Sequence, residues 1–204
     1  MPTFDEQAAA WDTPERIERA RAIARLILDA THPAPAARVL ELGAGTGLLG
    51  LALLPHVGSV VLADASGGML AVAEAKIATG AYPGARTLRH VLTVDPVPGE
   101  RFDLVVSLMA LHHVQDTDAA MTGLAALLEP GGMIAVVDLE AEDGSFHTDP
   151  DEPVLHGYER GALRACAEAA GFRDVAFAPA WEVAKNDGVY PLFLLTATRS
   201  GAAG

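Results

Sequence analysis

Val39-Leu40-Glu41-Leu42-Gly43-Ala44-Gly45-Thr46-Gly47-Leu48-Leu49-Gly50 is the stretch of this chain that decides its fold. An apolar strand, Arg38 to Leu42, runs into glycines at alternate positions, and a helix follows from about Thr46 to Leu54, stopped by Pro55. Glycines let backbone approach a ligand closely in such a turn. The helix that opens next points free N–H groups at whatever sits there. Glu41 lies two residues before the first glycine, and that acid sets which ligand the loop can hold.

Working outward, strand and helix signals alternate from end to end, which predicts a parallel α/β sheet. Upstream, Thr13-Pro14 reads as an N-cap with proline at the first helical position. Ile17, Ala20, Ala24, Ile27 and Leu28 then repeat at helical spacing to about Ala30. Downstream, strands are expected at Val60 to Ala63, Thr87 to Val94, Phe102 to Met109 and Met133 to Leu139. Helices are expected from the Ser66 cap through Met69 to Gly80, from Asp118 to Leu128, and from Arg160 to Ala170. Two strands close the chain, Val175 to Ala184 and Tyr190 to Thr198. The Lys185-Asn186-Asp187-Gly188 link is too short for a parallel crossover, so this pair is antiparallel. Asp138 to Pro153 reads as an acidic loop over the C-terminal edge of the sheet, and Gly201 to Gly204 as a frayed tail.

The chain has 204 residues, half of them hydrophobic, and a net charge of −13. That length suits one domain, or one domain with an arm. Only 14 Lys and Arg occur, scattered along the chain, which excludes nucleic acid and anionic membrane surfaces as partners. The single cysteine, Cys166, allows no internal disulfide and no cysteine zinc site. No apolar run approaches the ~18 residues of a membrane span. Met1 to Trp11 is acidic and does not read as a signal peptide. A soluble cytoplasmic protein is expected.

Gly45-Thr46-Gly47-Leu48-Leu49-Gly50 fits the dinucleotide fingerprint, with Asp64 near the spacing of a ribose-binding acid. Glu41 argues against a dinucleotide, because its carboxylate would repel a pyrophosphate brought to this turn. S-adenosylmethionine carries an ammonium and a sulfonium instead, and both favour a carboxylate. At ~4 Å and an effective dielectric of ~20, one such contact is worth about 4 kcal/mol before desolvation.

Glu41-Leu42-Gly43-Ala44-Gly45-Thr46-Gly47 resembles the first motif of the class I S-adenosylmethionine-dependent methyltransferases. Asp64 resembles their acid at the end of strand two, which pairs with both ribose hydroxyls. Phe102-Asp103-Leu104-Val105-Val106 and Leu111-His112-His113-Val114 resemble strand four and the following segment of the ubiquinone/menaquinone type, which acts on small molecules. Leu127-Leu128-Glu129-Pro130-Gly131-Gly132 is similar to the family's turn into strand five. The resemblance spans about Phe4 to Thr198. It implies a three-layer Rossmann-like fold with a seven-stranded, mostly parallel sheet and an antiparallel last strand inserted between the fifth and sixth. Residues 1–35 would form an N-terminal helical lid and 36–200 the methyltransferase domain.

The resemblance also implies the cofactor contacts. Glu41, Gly43, Ala44, Gly45 and Gly47 form the loop, Asp64 takes the ribose, and Ala65 and Met69 flank the adenine. Leu92 and Thr93 face its other side, Ser107 offers a backbone carbonyl to the methionine ammonium, and Trp11 covers the cofactor. One departure stands out. Many relatives carry an acid near position 91 that bonds the adenine amino group, and His90-Val91-Leu92 has none. Either apolar contact and backbone hold the adenine, or Asp95 folds back to it.

For catalysis, His112 and His113 follow strand four, where the acceptor meets the methyl group in this fold, and histidine takes a proton near neutral pH. Both also read as structural histidines at a strand end. His147 and His156 lie in or beside the acidic loop. No metal-binding spacing joins these histidines, and no metal is expected. Asp138 and Glu140 read as solvated or capping, and Tyr190 and Phe193 as core residues that can also line a pocket. The expected activity is methyl transfer from S-adenosyl-L-methionine to a small-molecule nucleophile. An NAD(P)-dependent oxidoreductase and a non-catalytic S-adenosylmethionine-binding protein remain the alternatives, and oligomeric state is open.

Overall fold

Seven strands form one sheet in the computed structural model, which describes residues 3–147, 149 and 153–201. Part of the expected acidic loop (148 and 150–152) and residues 202–204 of the expected tail lie outside the described residues, as do residues 1–2. The strands are β1 (Arg38–Leu42), β2 (Ser59–Asp64), β3 (Ala85–Arg89), β4 (Phe102–Leu108), β5 (Leu128–Leu139), β6 (Phe172–Lys185) and β7 (Gly188–Arg199). Their order is β3-β2-β1-β4-β5-β7-β6, and β7 runs antiparallel to both of its neighbours. The closing hairpin is therefore as the short link required. Its turn is tighter than expected: only Asn186 and Asp187 lie between the strands, both at positive φ, 50° and 62°. Those are the backbone signs of the two-residue turn that matches strand twist.

The helices are α1 (Phe4–Gln7), α2 (Pro14–Thr31), α3 (Leu48–Leu53), α4 (Gly67–Lys76), α5 (Thr117–Leu127) and α6 (Arg160–Ala169). Successive strand residues point to opposite faces, and the core divides accordingly. Val39, Val60, Leu62, Leu104, Val106, Ala135 and Val137 pack with α2 and α3 on one face. Leu40, Val61, Val105, Ile134 and Val136 pack with α5 and α6 on the other. Thr13 caps α2 by accepting from the Arg16 N–H at 3.3 Å, ahead of Pro14. Ala20, Ile23, Ala24 and Ile27 bury α2 against the sheet, so the stretch before it, residues 3–13, is what lies across the glycine loop.

β3 departs from its expected range, Thr87 to Val94. It starts at Ala85, directly after Gly84 at φ +94°, and ends at Arg89, which pairs with the last residue of β2, Asp64. Beyond it the chain turns. Val94 and Asp95 N–H groups bond the Val91 carbonyl, and the Asp95 carboxylate accepts from the Val91 N–H at 2.7 Å. The β-branched residues Val91, Thr93 and Val94 resemble strand but have no neighbouring strand to pair with. The connection to β4, residues 90–101, contains no helix.

Candidate functional site

The glycine loop sits at the C-terminal end of β1, between the ends of β2 and β4. Gly43, Gly45 and Gly47 adopt φ of 64°, 53° and 82°. A Cβ on Gly43 would stand 2.2 Å from the Ala110 Cβ, and one on Gly47 would stand 2.6 Å from Leu62 Cδ1. Two of the three glycines are thus required by packing within the chain. Gly45 is different, since its nearest neighbours are Trp11 Nε1 at 3.6 Å and Met69 Sδ at 3.9 Å. Its surroundings are the face open to a ligand.

Asp64 closes β2 and crosses the mouth of this loop. One carboxylate oxygen accepts from the Gly45 N–H at 2.7 Å and the other from the Ser66 N–H at 2.8 Å. A carboxylate has roughly four lone-pair sites, so about two remain open to further donors.

Glu41 is 2 % exposed. Its Oε2 accepts from the Gly50 N–H of α3 at 2.7 Å, so this oxygen is directed behind the loop, whereas the sequence expectation set the carboxylate directly against a ligand. Burial pushes its carboxyl from the ordinary 4.5 up to about 8. The Gly50 hydrogen bond and the charge of Lys76 oppose that rise, and Asp64 adds to it. A buried acid in this state gains from a cation placed nearby and loses from an anion.

Residues 3–13 are latched over the loop. Thr46 Oγ1 donates to Asp12 Oδ1 at 2.5 Å, and Lys76 Nζ bonds both Asp12 Oδ2 and the Thr46 carbonyl at 2.7 Å. Asp5 caps α4, accepting from the Gly68 N–H at 2.9 Å and from Ser66 Oγ at 2.5 Å. These bonds hold the Asp5 carboxyl below its usual range. Trp11 lies edge-on to Phe4, with the Arg16 guanidinium 3.9 Å above its ring.

The structure brings Trp11, Gly45, Asp64 and Met69 together, with Ala65 exposed beside them and Ser107 buried at the end of β4. Ala44 anchors the loop by donating its N–H to the Ala63 carbonyl. Leu92 lies in the turn after β3. Its side chain packs on α5, where a Cβ on Gly123 would meet Leu92 Cδ1 at 2.8 Å. Thr93 sits in the same turn at φ 71°. Asp95 folds back, but onto the Val91 N–H.

On the other side of the loop, Leu111–His113 form a 3-10 turn after β4. His112 is 1 % exposed, and its Nδ1 lies 2.6 Å from Asp138 Oδ1. Asp138 is fully buried and also accepts from the N–H groups of Leu111, His112 and Leu139. The expectation of a solvated Asp138 is corrected here, and its capping role stands. An acid near the end of a central strand is covered by the elements that follow, in this case the turn carrying His112. His113 packs against Phe4 and His147, and the rings of His112 and His113 stand 4.3 Å apart. Phe193 lies in the core between Tyr158 and Phe177. Tyr190 instead contacts Phe146 and shares a hydrogen bond with Ser145.

The sequence profile of the methyltransferase domain family matches residues 15–176. The chain belongs to this family. An uncharacterized methyltransferase of Schizosaccharomyces pombe is 33% identical over 123 residues, covering 56% of this chain and 43% of that protein. A ubiquinone/menaquinone biosynthesis C-methyltransferase of Vibrio vulnificus is 30% identical over 159 residues, 71% of this chain and 61% of that protein. The chain spans about half the length of the first curated relatives it matches. Among solved structures, a phosphoethanolamine N-methyltransferase of Haemonchus contortus in complex with S-adenosyl-L-methionine superposes with a TM-score of 0.73 at 16% identity, covering 98% of this chain and 60% of that one. This likeness shows that the methyltransferase fold is shared.

Within that fold, sequence reasoning missed Asp12, Lys76 and the pairing of Asp138 with His112. Asp12 and Lys76 are ordinary charged residues 64 positions apart, and no local pattern marks them as partners. Asp138 did carry a signal, as the one acid in the otherwise apolar run Met133 to Leu139.

Proposed function

We propose that the chain is an S-adenosyl-L-methionine-dependent methyltransferase acting on a small-molecule nucleophile, with residues 3–13 as its lid. The observation that carries this reading is the buried Glu41 beneath the glycine loop, whose carboxyl burial raises to about 8. A pyrophosphate at this turn would worsen the position of that acid, and an ammonium with a sulfonium would relieve it. Asp64, with about two lone-pair sites free, fits the ribose hydroxyls.

Bound there, S-adenosylmethionine would supply an electrophilic methyl group on a good leaving group. The protein then contributes alignment and exclusion of water. Gly43, Ala44, Gly45 and Gly47 admit the methionine portion, and Ser107 offers a carbonyl to its ammonium. Ala65, Met69 and Thr93 border the adenine, and Trp11 covers the loop. His112 and His113 stand on the acceptor side as bases. The name of the Vibrio relative, 30% identical, supports a small organic acceptor. Among the described residues no helix is long and apolar enough to cross a membrane, and action in the cytoplasm is part of this reading.

A thermal-shift comparison of S-adenosylhomocysteine with NADPH tests the proposal. Stabilisation by S-adenosylhomocysteine alone is expected, and stabilisation by NADPH alone would refute it.

A further inference from the structure

His112 and Asp138 form a buried pair that the cofactor loop does not explain. Asp138 Oδ2 accepts from the Leu111 and His112 N–H groups at 3.0 and 3.2 Å, and Oδ1 accepts from the Leu139 N–H at 2.8 Å. Three of its roughly four lone-pair sites are therefore held by backbone. The remaining one meets His112 Nδ1 at 2.6 Å. Backbone donors on both oxygens leave the carboxylate no freedom to rotate, so it presents a fixed acceptor to one ring nitrogen.

We propose that Asp138 is a positioning residue that holds His112 as its Nδ1–H tautomer, leaving Nε2 to take the proton of a hydroxyl acceptor. A carboxylate accepts only, so the shared proton belongs on Nδ1, and a neutral imidazole then carries its lone pair on Nε2. This rests on the methyltransferase reading of the site. Within it, the acceptor O–H bond breaks as its proton passes to Nε2. An oxygen pair forms the bond to the methyl carbon, and the carbon–sulfur pair stays on sulfur. A neutral hydroxyl is a poor nucleophile without such a base, whereas a thiolate needs none, and so the pair favours a hydroxyl acceptor over a thiolate.

The placement agrees. The turn that carries His112 follows Ala110, and Ala110 packs against Gly43 of the cofactor loop so closely that no Cβ fits between them. His112 is covered by the rings of His113 and His147 at 4.3 and 5.2 Å, and His113 in turn by Phe4 of the arm. The arm that lies over the loop therefore reaches this pair through His113.

The experiment is nitrogen NMR of histidine-labelled full-length protein, wild type and Asp138→Asn, with and without S-adenosylhomocysteine, and with calorimetric binding of that ligand in parallel. In the wild type, the Nδ1 resonance of His112 should fall in the protonated range and Nε2 in the unprotonated range, and the ligand should shift Nε2. Asparagine keeps an oxygen for the Leu111 and His112 N–H groups but places its amide N–H where Oδ1 met Nδ1 and the Leu139 N–H, so the two ring nitrogens should exchange ranges. A protonated Nε2 in the wild type overturns the proposal without reference to any variant. So does an Asp138→Asn protein that binds the ligand yet keeps the wild-type tautomer, or an Nε2 resonance that the ligand leaves unmoved. Absence of calorimetric binding to the wild type refutes the cofactor reading itself, a failure distinct from a wrong tautomer.

Discussion

Glu41→Gln should make the ligand-free protein more stable, by an amount that grows with pH. The Glu41 carboxyl is buried, and its proton is held up to about 8 in place of the ordinary 4.5. A folded-state value raised in this way means that the folded protein binds the proton more tightly than the unfolded chain. The stability it contributes is complete below pH 4.5 and is lost as pH rises through 8. At 1.36 kcal/mol per unit, the loss is about 1 kcal/mol at pH 5, about 3 at pH 7 and about 5 above pH 9. Glutamine keeps an acceptor for the Gly50 N–H but has no charge to desolvate. Urea unfolding of both proteins at pH 5, 7 and 9 should therefore show a gap in favour of Glu41→Gln that widens along that series, since other groups titrate alike in both and cancel. Saturating S-adenosylmethionine should narrow the gap, because its cations favour the charged Glu41 and not glutamine. A gap that is flat with pH would refute the burial argument. A widening gap that the ligand leaves unchanged would show that Glu41 does not read the ligand's charge.

Gly43→Ala sets a Cβ 2.2 Å from the Ala110 Cβ at φ +64°, and overpacking with backbone strain should cost about 2–4 kcal/mol of stability, read as a lower urea midpoint; an unchanged midpoint would mean that the loop yields freely. Asp12→Ala removes the Lys76 ion pair and the Thr46 hydrogen bond, a loss of about 1–2 kcal/mol. Amide exchange of residues 3–13 should speed up on the order of tenfold, and unaltered exchange would show that the aromatic contacts alone hold the arm. Asp64→Ala should weaken S-adenosylhomocysteine and adenosine alike, by about 3 kcal/mol or on the order of a hundredfold, because both carry the same ribose. A loss confined to one of them would place Asp64 elsewhere.

The fold was legible because its signals are local. Proline and glycine punctuation, the buried apolar runs of β1, β2, β4 and β5, and the short closing link each act over a few residues. The failure at β3 has the same origin. Val91, Thr93 and Val94 have the side chains of a strand, but strand character comes from a neighbour to pair with, and β2 ends at Asp64 opposite Arg89. Leu92 falls with them in a turn and packs on α5. The tight turn at Gly43, Gly45 and Gly47 and the strand end at Asp64 were readable from spacing. Latching by Asp12 and Lys76 was not, since charge pairs between distant segments leave no pattern in either one.

By itself the sequence determined the alternation of elements, the antiparallel close and the presence of an acid beneath the glycine loop, all properties of residue type and near spacing. Tertiary structure alone decided where those groups point. It turned Glu41 Oε2 toward Gly50 and set Asp138 under His112. It also brought Trp11 to Gly45, which required the arm to cross the sheet edge. The physical reason is that burial and hydrogen-bond direction depend on neighbours supplied by other segments, and they convert an ordinary acid into a strained or a positioning one. The glycine loop announced a ligand. The groups folded around it set a buried acid beneath the turn and a fixed acceptor against His112.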